Sequence, residues 1–597
     1  MHLNRGPRTW LCAAGALAAL ALLATSPALA VDNGAAAREL AAVLAAYDRY
    51  SADVDPIAAG QRGDLVELGR WPDDGQLAVA RHQHLLAGLG ARLAKLAGAQ
   101  LNDEEQLNRD LLRDRLELDL AGYAFDEERI PFNTGDGFFT VPDYAADGIK
   151  LRTEAQARAW IAKLAALPAY YATETDNMRR GLRTHFVRPR LVVEKVAATL
   201  ARRAAQAADD SPLLKPLAEL PDSLSPALRS ALRTDALRIV RLEVKPAERR
   251  LAEFFAQDYL PGAAPGLGIG ELPNGGAYYD YLIRRHASTS MTPARIHALG
   301  IEEIARIDGE MRGAIAATGF SGSRAEFLHF LRTDPQFRAS SVEDYLQRTR
   351  DLAKRTDALL PRYFGVLPRL TYGVELVAPN LKESSSGYNP GSPEQGLSGT
   401  VVVNVDSDAL DQSPLYGMPA WFLHEGVPGH HLQIALAQEQ GGRPLFRQNS
   451  DVNAFVEGWA LYSERLGGEM GLYRTPYELF GRLSLEMWRA CRLVVDTGIH
   501  VMGWTREQAV ACLRDNTGLS QRAIDSEVDR YIGWPGQALG YKIGEIRIRE
   551  LRARAEKALG PRFDLRAFHD AVLLPGPMPL DLLEARMDRW LNAQREK

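Results

Sequence analysis

Three histidines and a glutamate fall within the segment His424-Glu425-Gly-Val-Pro428-Gly429-His430-His431, directly behind the apolar run Ala420-Trp421-Phe422-Leu423. Imidazole nitrogens are zinc ligands, and a carboxylate beside them can act as a general base. The arrangement is close to the H-E-x-x-H helix, whose histidines bind the ion while the glutamate handles the proton. The spacing here is longer. In a regular helix each residue turns about 100° and rises about 1.5 Å, so His430 would point away from His424 and His431 would lie about 10 Å along the axis. Pro428 changes the geometry. It cannot donate to the carbonyl of His424, and its ring clashes with that group, so the helix must bulge or kink. Gly429 tolerates the backbone angles such a bulge needs. A loop-out would carry His430 into the second ligand position, which favours it over His431, the other candidate.

A catalytic zinc takes a third protein ligand and keeps one position open for water. Glu457, in Asn453-Ala-Phe-Val-Glu457-Gly-Trp-Ala-Leu-Tyr-Ser-Glu464, sits among Phe455, Val456 and Trp459. An unpaired carboxylate is costly to bury there, and a metal removes that cost. An ordinary salt bridge is the alternative reading. Glu464, two turns on, faces the same way and can orient a ligand histidine. The expected set is one Zn²⁺ per chain on His424, His430 and Glu457, with Glu425 as general base.

Two later residues could steady the oxyanion formed when water adds to a peptide carbonyl. They are Tyr541, beyond the Pro535-Gly536 break, and His500, behind the apolar Leu493-Val-Val. A lone histidine is more often a hydrogen-bonded core residue. Tyr388 and Asn389, in a Gly- and Pro-punctuated loop from Ser384 to Gly399, are candidate substrate contacts. The serines of that loop have no G-x-S-x-G elbow and read as solvated.

Together, H-E-x-x-P-G-H-H and V-E-G-W-A-x-Y-x-E resemble the bacterial family known as domain of unknown function 885. Arg492-Leu-Val-Val-Asp496-Thr-Gly-Ile-His500 and Trp534-Pro-Gly-Gln-Ala-Leu-Gly-Tyr541-Lys-Ile-Gly544 resemble it as well. The likeness is clearest from about Gly276 onward. It implies a mainly helical metallopeptidase-like fold, akin to the thimet oligopeptidases and the carboxypeptidase Taq group, with a deep cleft. Dipeptidyl peptidase III offers a parallel, since its motif also carries an extra residue between the histidines. The family name brings no substrate with it.

The elements that must position these groups are mostly helical. Amphipathic periodicity is expected over 35–46, 76–97, 104–120, 154–167, 190–208 and 223–256, punctuated at Pro131, Pro142, Pro168, Pro212 and Pro221. A Gly/Pro-rich stretch, 261–276, separates an N-terminal helical region (31–260) from a catalytic region (261–597). It reads as a hinge, a substrate-facing loop or a plain connection. Val374 to Val377 and Thr400 to Val405 are rich in β-formers and predict a short sheet just before the metal segment. Its edge could bind an extended peptide by strand addition.

Composition fits a large enzyme: 597 residues, 46% hydrophobic and 25% charged. A formal charge of −5 and the lack of basic, aromatic-interleaved blocks argue against nucleic acid as a partner. Residues 1–30 read as a secretory signal, with Arg5 and Arg8 before an apolar run and cleavage after Ala30. Cleavage would take the charge to −7, because the segment holds those two arginines and no acid. No later stretch is long enough to span a membrane. Of the mature cysteines, Cys491 is expected as a buried free thiol. The sequence thus predicts an exported, periplasmic zinc peptidase acting on short peptides. A hydrolase of another amide, such as an N-acyl amino acid, and a non-catalytic peptide-binding protein are the alternatives. The oligomeric state is not encoded in any motif found.

Overall fold

The structure, a computed structural model, describes residues 34–377, 386–392, 396–408, 410–448 and 452–596. The expected signal segment, and Ser384 and Ser385 of the polar loop, lie outside them. The fold is mainly helical with one small sheet. Helical periodicity explains the first elements well: Ala35–Val54 buries Leu40, Val43, Tyr47 and Tyr50 along one stripe.

Two expected boundaries differ. Helix α1 (Glu154–Arg183) runs straight through Pro168 instead of stopping before it. It buries Trp160, Leu164, Leu167, Tyr171 and Met178, and that packing outweighs the cost of one proline. The segment expected as one helix over 223–256 is instead Pro226–Ile239 and Lys245–Phe254, joined by the wider π turn Val240–Val244. Farther on lies α2 (Pro293–Ala317).

The sheet contains β1 (Tyr372–Leu376), β2 (Gly387–Asn389) and β3 (Gly399–Val403), in the order β1-β3-β2. β1 runs parallel to β3, with Val374 opposite Val401, and β2 runs antiparallel to it, with Tyr388 opposite Val401. Only β1 and β3 are legible as strands from composition. β2 lies in the stretch read as a polar loop, because three residues beside Gly, Pro and Ser carry too little β-forming character.

Then come α3 (Met418–Glu425), α4 (His430–Gln438), α5 (Asn453–Glu469), α6 (Pro476–Val501), α7 (Gln521–Gly533) and α8 (Gly540–Leu559). One hydrophobic core gathers Trp160, Phe255 and Tyr259 with Phe480, Val495 and Tyr531. A second gathers Phe422, Trp459, Leu493, Ile543 and Phe568. α6 thus contributes to both and forms the wall between them. α2 lies along it, where a methyl on Gly300 would come 2.6 Å from Val494.

The Gly/Pro connector packs against the end of α6. Methyl groups on Gly268 and Gly270 would each lie 2.5 Å from a carbonyl oxygen, of Ile499 and His500 respectively. Cys491 and Cys512 are both free thiols. Among the described residues no helix is long and apolar enough to cross a membrane.

Candidate metal centre

The metal motif does not form one bulged helix. α3 ends at Glu425, the chain turns through Gly426 to Gly429, and α4 begins at His430. The expected kink is a complete interruption, which frees His430 from the register of His424. The turn is tight: the Gly426 N–H donates to the Phe422 carbonyl (2.7 Å) and the His431 N–H to the Gly426 carbonyl (3.0 Å). A methyl on Gly429 would fall 2.0 Å from the His424 carbonyl oxygen, so only glycine fits there. The Trp459 indole N–H donates to the Pro428 carbonyl at 2.8 Å and ties the turn to α5.

The turn brings His424, His430 and Glu457 together, with one possible ligand atom from each lying within 4.8 Å of the others. Nε2 of His424 and Nε2 of His430 lie 3.2 and 3.5 Å from Oε2 of Glu457. That oxygen nevertheless accepts no well-directed hydrogen bond, and Nδ1 of His430 has no partner either. On its other side His424 Nδ1 meets Glu464 Oε1 at 2.9 Å. Burial alone would lower the His424 pKa, but the carboxylates of Glu457 and Glu464 outweigh it and raise it to about 9. Burial would raise the Glu457 pKa, yet the two histidines hold it well below the usual range. Two imidazoles and a carboxylate are a donor set suited to zinc, and the orphaned Glu457 oxygen fits a cation between them.

Glu425 stands beside this cluster. Burial raises its pKa, and the charges of His424 and His430 oppose that rise. β2 approaches it closely: a methyl on Gly387 would lie 3.9 Å from Glu425 Oε2. Tyr541, the first full turn of α8, is held by burial and then by the Glu457 charge above its ordinary pKa, with Arg492 and Arg530 opposing. α5 and α8 cross at bare backbone: a methyl on Gly458 would lie 2.5 Å from the Gly544 Cα. Glu457 immediately precedes one glycine of that crossing, Tyr541 lies three residues before the other, and the Glu457 charge is felt by the Tyr541 hydroxyl.

Four residues considered from the sequence lie elsewhere. His431 turns its ring onto Tyr372 (centroids 4.5 Å apart) and bonds the Tyr388 hydroxyl at 3.0 Å. Burial pushes its pKa down to about 4. Tyr388 is occupied by that contact, and Asn389 is exposed at the end of β2. His500, expected as a candidate oxyanion donor, is engaged on both sides of its ring by backbone groups. Its Nδ1 accepts from the Ile269 N–H (3.3 Å), and its Nε2 donates to the Tyr531 carbonyl (3.0 Å). Both nitrogens are used by backbone, and burial lowers its pKa to about 4.

Two arginines escaped the sequence reading. Arg489 Nη2 lies 3.4 Å from Glu464 Oε1, behind His424. Arg492 stacks between Trp488 (4.3 Å) and Tyr541 (4.2 Å) and donates to the Tyr531 hydroxyl and to Glu527. Arg489 also covers the Trp488 ring, at 4.5 Å. A continuous wall therefore runs from His424 through Glu464, Arg489, Trp488 and Arg492 to Tyr541. Two arginines one turn apart, in a helix that also buries Arg482, Glu486 and Asp496 among apolar residues, were the available signal, because such charges are rarely buried unless paired.

The chain belongs to the family described as "Bacterial protein of unknown function (DUF885)", whose model matches residues 56–587. It is similar in structure to a crystal structure described as a "putative lipoprotein" from Colwellia psychrerythraea, at 26% identity and a TM-score of 0.86, covering 94% of this chain and 99% of that one. A "putative lipoprotein of unknown function" from Shewanella oneidensis shares the fold at 20% identity and a TM-score of 0.74, covering 92% and 99%. No curated protein matches the chain.

Proposed function

We propose that this protein is an exported zinc-dependent peptidase acting on short peptides, with a metallopeptidase-like fold and a substrate cleft beside β2. The observation that carries the reading is the convergence of His424, His430 and Glu457, with a buried Glu457 oxygen that lacks a hydrogen-bond donor. The lipoprotein descriptions of both structural relatives support export.

His424, through Nε2, His430 and Glu457 would hold the ion. Bound there, zinc would supply Lewis acidity, activating a water and polarising a carbonyl. Glu425 takes the proton of the attacking water on its carboxylate and passes it to the leaving nitrogen. Its raised pKa suits both steps, because a more basic carboxylate accepts more readily and still releases to an amine. Tyr541 donates its hydroxyl hydrogen to the oxygen that gains charge. A peptide laid along the outer edge of β2 would pass Glu425 at Gly387.

Metal analysis of the purified protein, combined with digestion of a mixed peptide library read by mass spectrometry, tests this reading. About one zinc per chain with cleavage of short peptides is expected. Metal without peptide cleavage, but with hydrolysis of N-acyl amino acids, would move the protein to the other amide class. Peptide binding with no turnover of any amide would make it a binding protein.

A further inference from the structure

A cavity that shares no residue with the His424, His430 and Glu457 cluster opens in the N-terminal helical part of the chain. It has a volume of about 460 Å³ and apolar walls that include Pro72, Phe138, Val141 and Tyr170. Three carboxyl groups, Asp55, Asp74 and Glu174, enter the same lining, and Asp55 is already engaged in accepting from the Ala58 N–H at 3.0 Å. Glu174, midway along α1, is only 1% exposed, and neither of its carboxylate oxygens has a hydrogen-bond partner. Tyr144, 57% exposed, stands in the same lining and marks its open side.

The surrounding cations are already committed. Arg180 is held by Asp126 through two bonds of 2.6 and 2.9 Å. His82 is held by Asp53 at 2.9 Å. The Asn177 amide donates to the backbone carbonyl of Asp74 and leaves its carboxylate alone. Nearby, Glu128 also has an unpartnered carboxylate oxygen, and its charge bears on Glu174. Buried carboxylates without a paired counter-charge are costly, and Arg180 and His82, bound to other acids, act on Glu174 and Asp74 only through longer-range charge. Asp74 and Glu174 can relieve the repulsion by sharing a proton, but a cation entering the cavity would relieve it better. Aromatic faces beside a carboxylate are the chemistry that receives an organic ammonium group, through charge pairing and cation–π attraction. The cavity size suits a small ligand that is mostly apolar.

We propose that this cavity is a binding site for a primary amine carried on an apolar body, with the ammonium group seated on Glu174 and Asp74 and the body against Phe138 and Tyr170. The site is independent of the metal centre. Isothermal titration calorimetry with phenethylammonium, and with 2-phenylethanol as its neutral counterpart, tests it on the full chain. The amine should bind saturably, one per chain, and the alcohol at least about tenfold more weakly. Glu174→Gln should weaken the amine by about tenfold or more while leaving the fold intact, since an amide can still pair with Asp74. Asp74→Asn, on the less buried side, serves as the second variant. Equal binding of amine and alcohol would overturn the proposal. So would no binding of either at about 10 mM, or unchanged amine binding in the folded variants.

Discussion

His424 Nδ1 lies 2.9 Å from Glu464 Oε1, two turns along α5 from Glu457, which stands 3.2 Å from the other nitrogen of the same ring. One imidazole is therefore gripped on both sides by carboxylates from a single helix, and only one of the two carboxylates faces the remaining ligand. A histidine so held cannot rotate, and its free nitrogen is fixed toward Glu457 and His430.

Removing the outer grip should loosen metal without abolishing it. Glu464→Gln is expected to lower zinc affinity by about 10–100-fold, the usual effect of losing a group that orients a ligand histidine. Competition with a chelator reads this directly. An affinity equal to wild type would mean that Glu464 serves packing alone.

The ligands themselves should behave differently from their neighbour. His424→Ala and Glu457→Ala should each lose the metal, and His430→Ala should retain less than His431→Ala. His431 packs on Tyr372 and bonds Tyr388, so its loss should cost stability and leave zinc in place. Retention by His430→Ala together with loss by His431→Ala would reverse the assignment.

Glu425→Gln separates holding the metal from using it. The amide keeps the shape of the side chain, so zinc content and melting temperature should stay near wild type. Turnover should drop by about 10²–10⁴-fold, the range for losing a general base. Normal peptide hydrolysis by a zinc-loaded Gln variant would rule out this role.

Tyr541→Phe removes one hydroxyl near Glu457. If that group steadies developing charge, kcat should fall by about 10²–10³-fold with little change in KM. An unchanged kcat at full metal content would exclude it. His500 is no substitute candidate, since backbone groups occupy both its nitrogens.

Acid stability should report the buried neutral histidines. His569 bonds the Tyr462 hydroxyl and the Tyr363 carbonyl, and burial lowers its pKa to about 3; His500 is lowered to about 4. Below their ordinary value of 6.5 the unfolded chain takes up protons that the folded chain refuses. Their contribution is thus intact above about pH 6.5 and lost progressively toward pH 4 and 3. The melting temperature should fall over that window, and His569→Gln should flatten the slope. An identical slope in the variant would show that other groups govern acid unfolding.

The helical architecture was legible because amphipathic stripes announce themselves, as in Ala35–Val54. The convergence of His424, His430 and Glu457 was legible because Pro428 and Gly429 state a geometric problem with few solutions. What escaped were features decided by partners distant in sequence. Pro168 reads as a break, and only the packing of Trp160 and Tyr171 shows why α1 continues. β2 is too short to show a pattern and exists because Val401 pairs with Tyr388. His500 carries no local sign that Ile269, far earlier in the chain, donates to it.

The crossing of Gly458 over Gly544 has a consequence for how accurately this site is built. The carboxylate of Glu457 and the phenol of Tyr541 are referenced to each other through touching peptide planes. No side chain lies between the two backbones at this contact, so the joint works as a fixed gauge for the helices that carry Glu457 and Tyr541. A methyl at either glycine would act as a shim, prising α5 from α8 without touching any reacting group. Displacements of about 1 Å in such alignments can cost about 10²-fold in rate. Two hydrogen atoms, standing where any other residue has a carbon, therefore set how closely these two helices can meet.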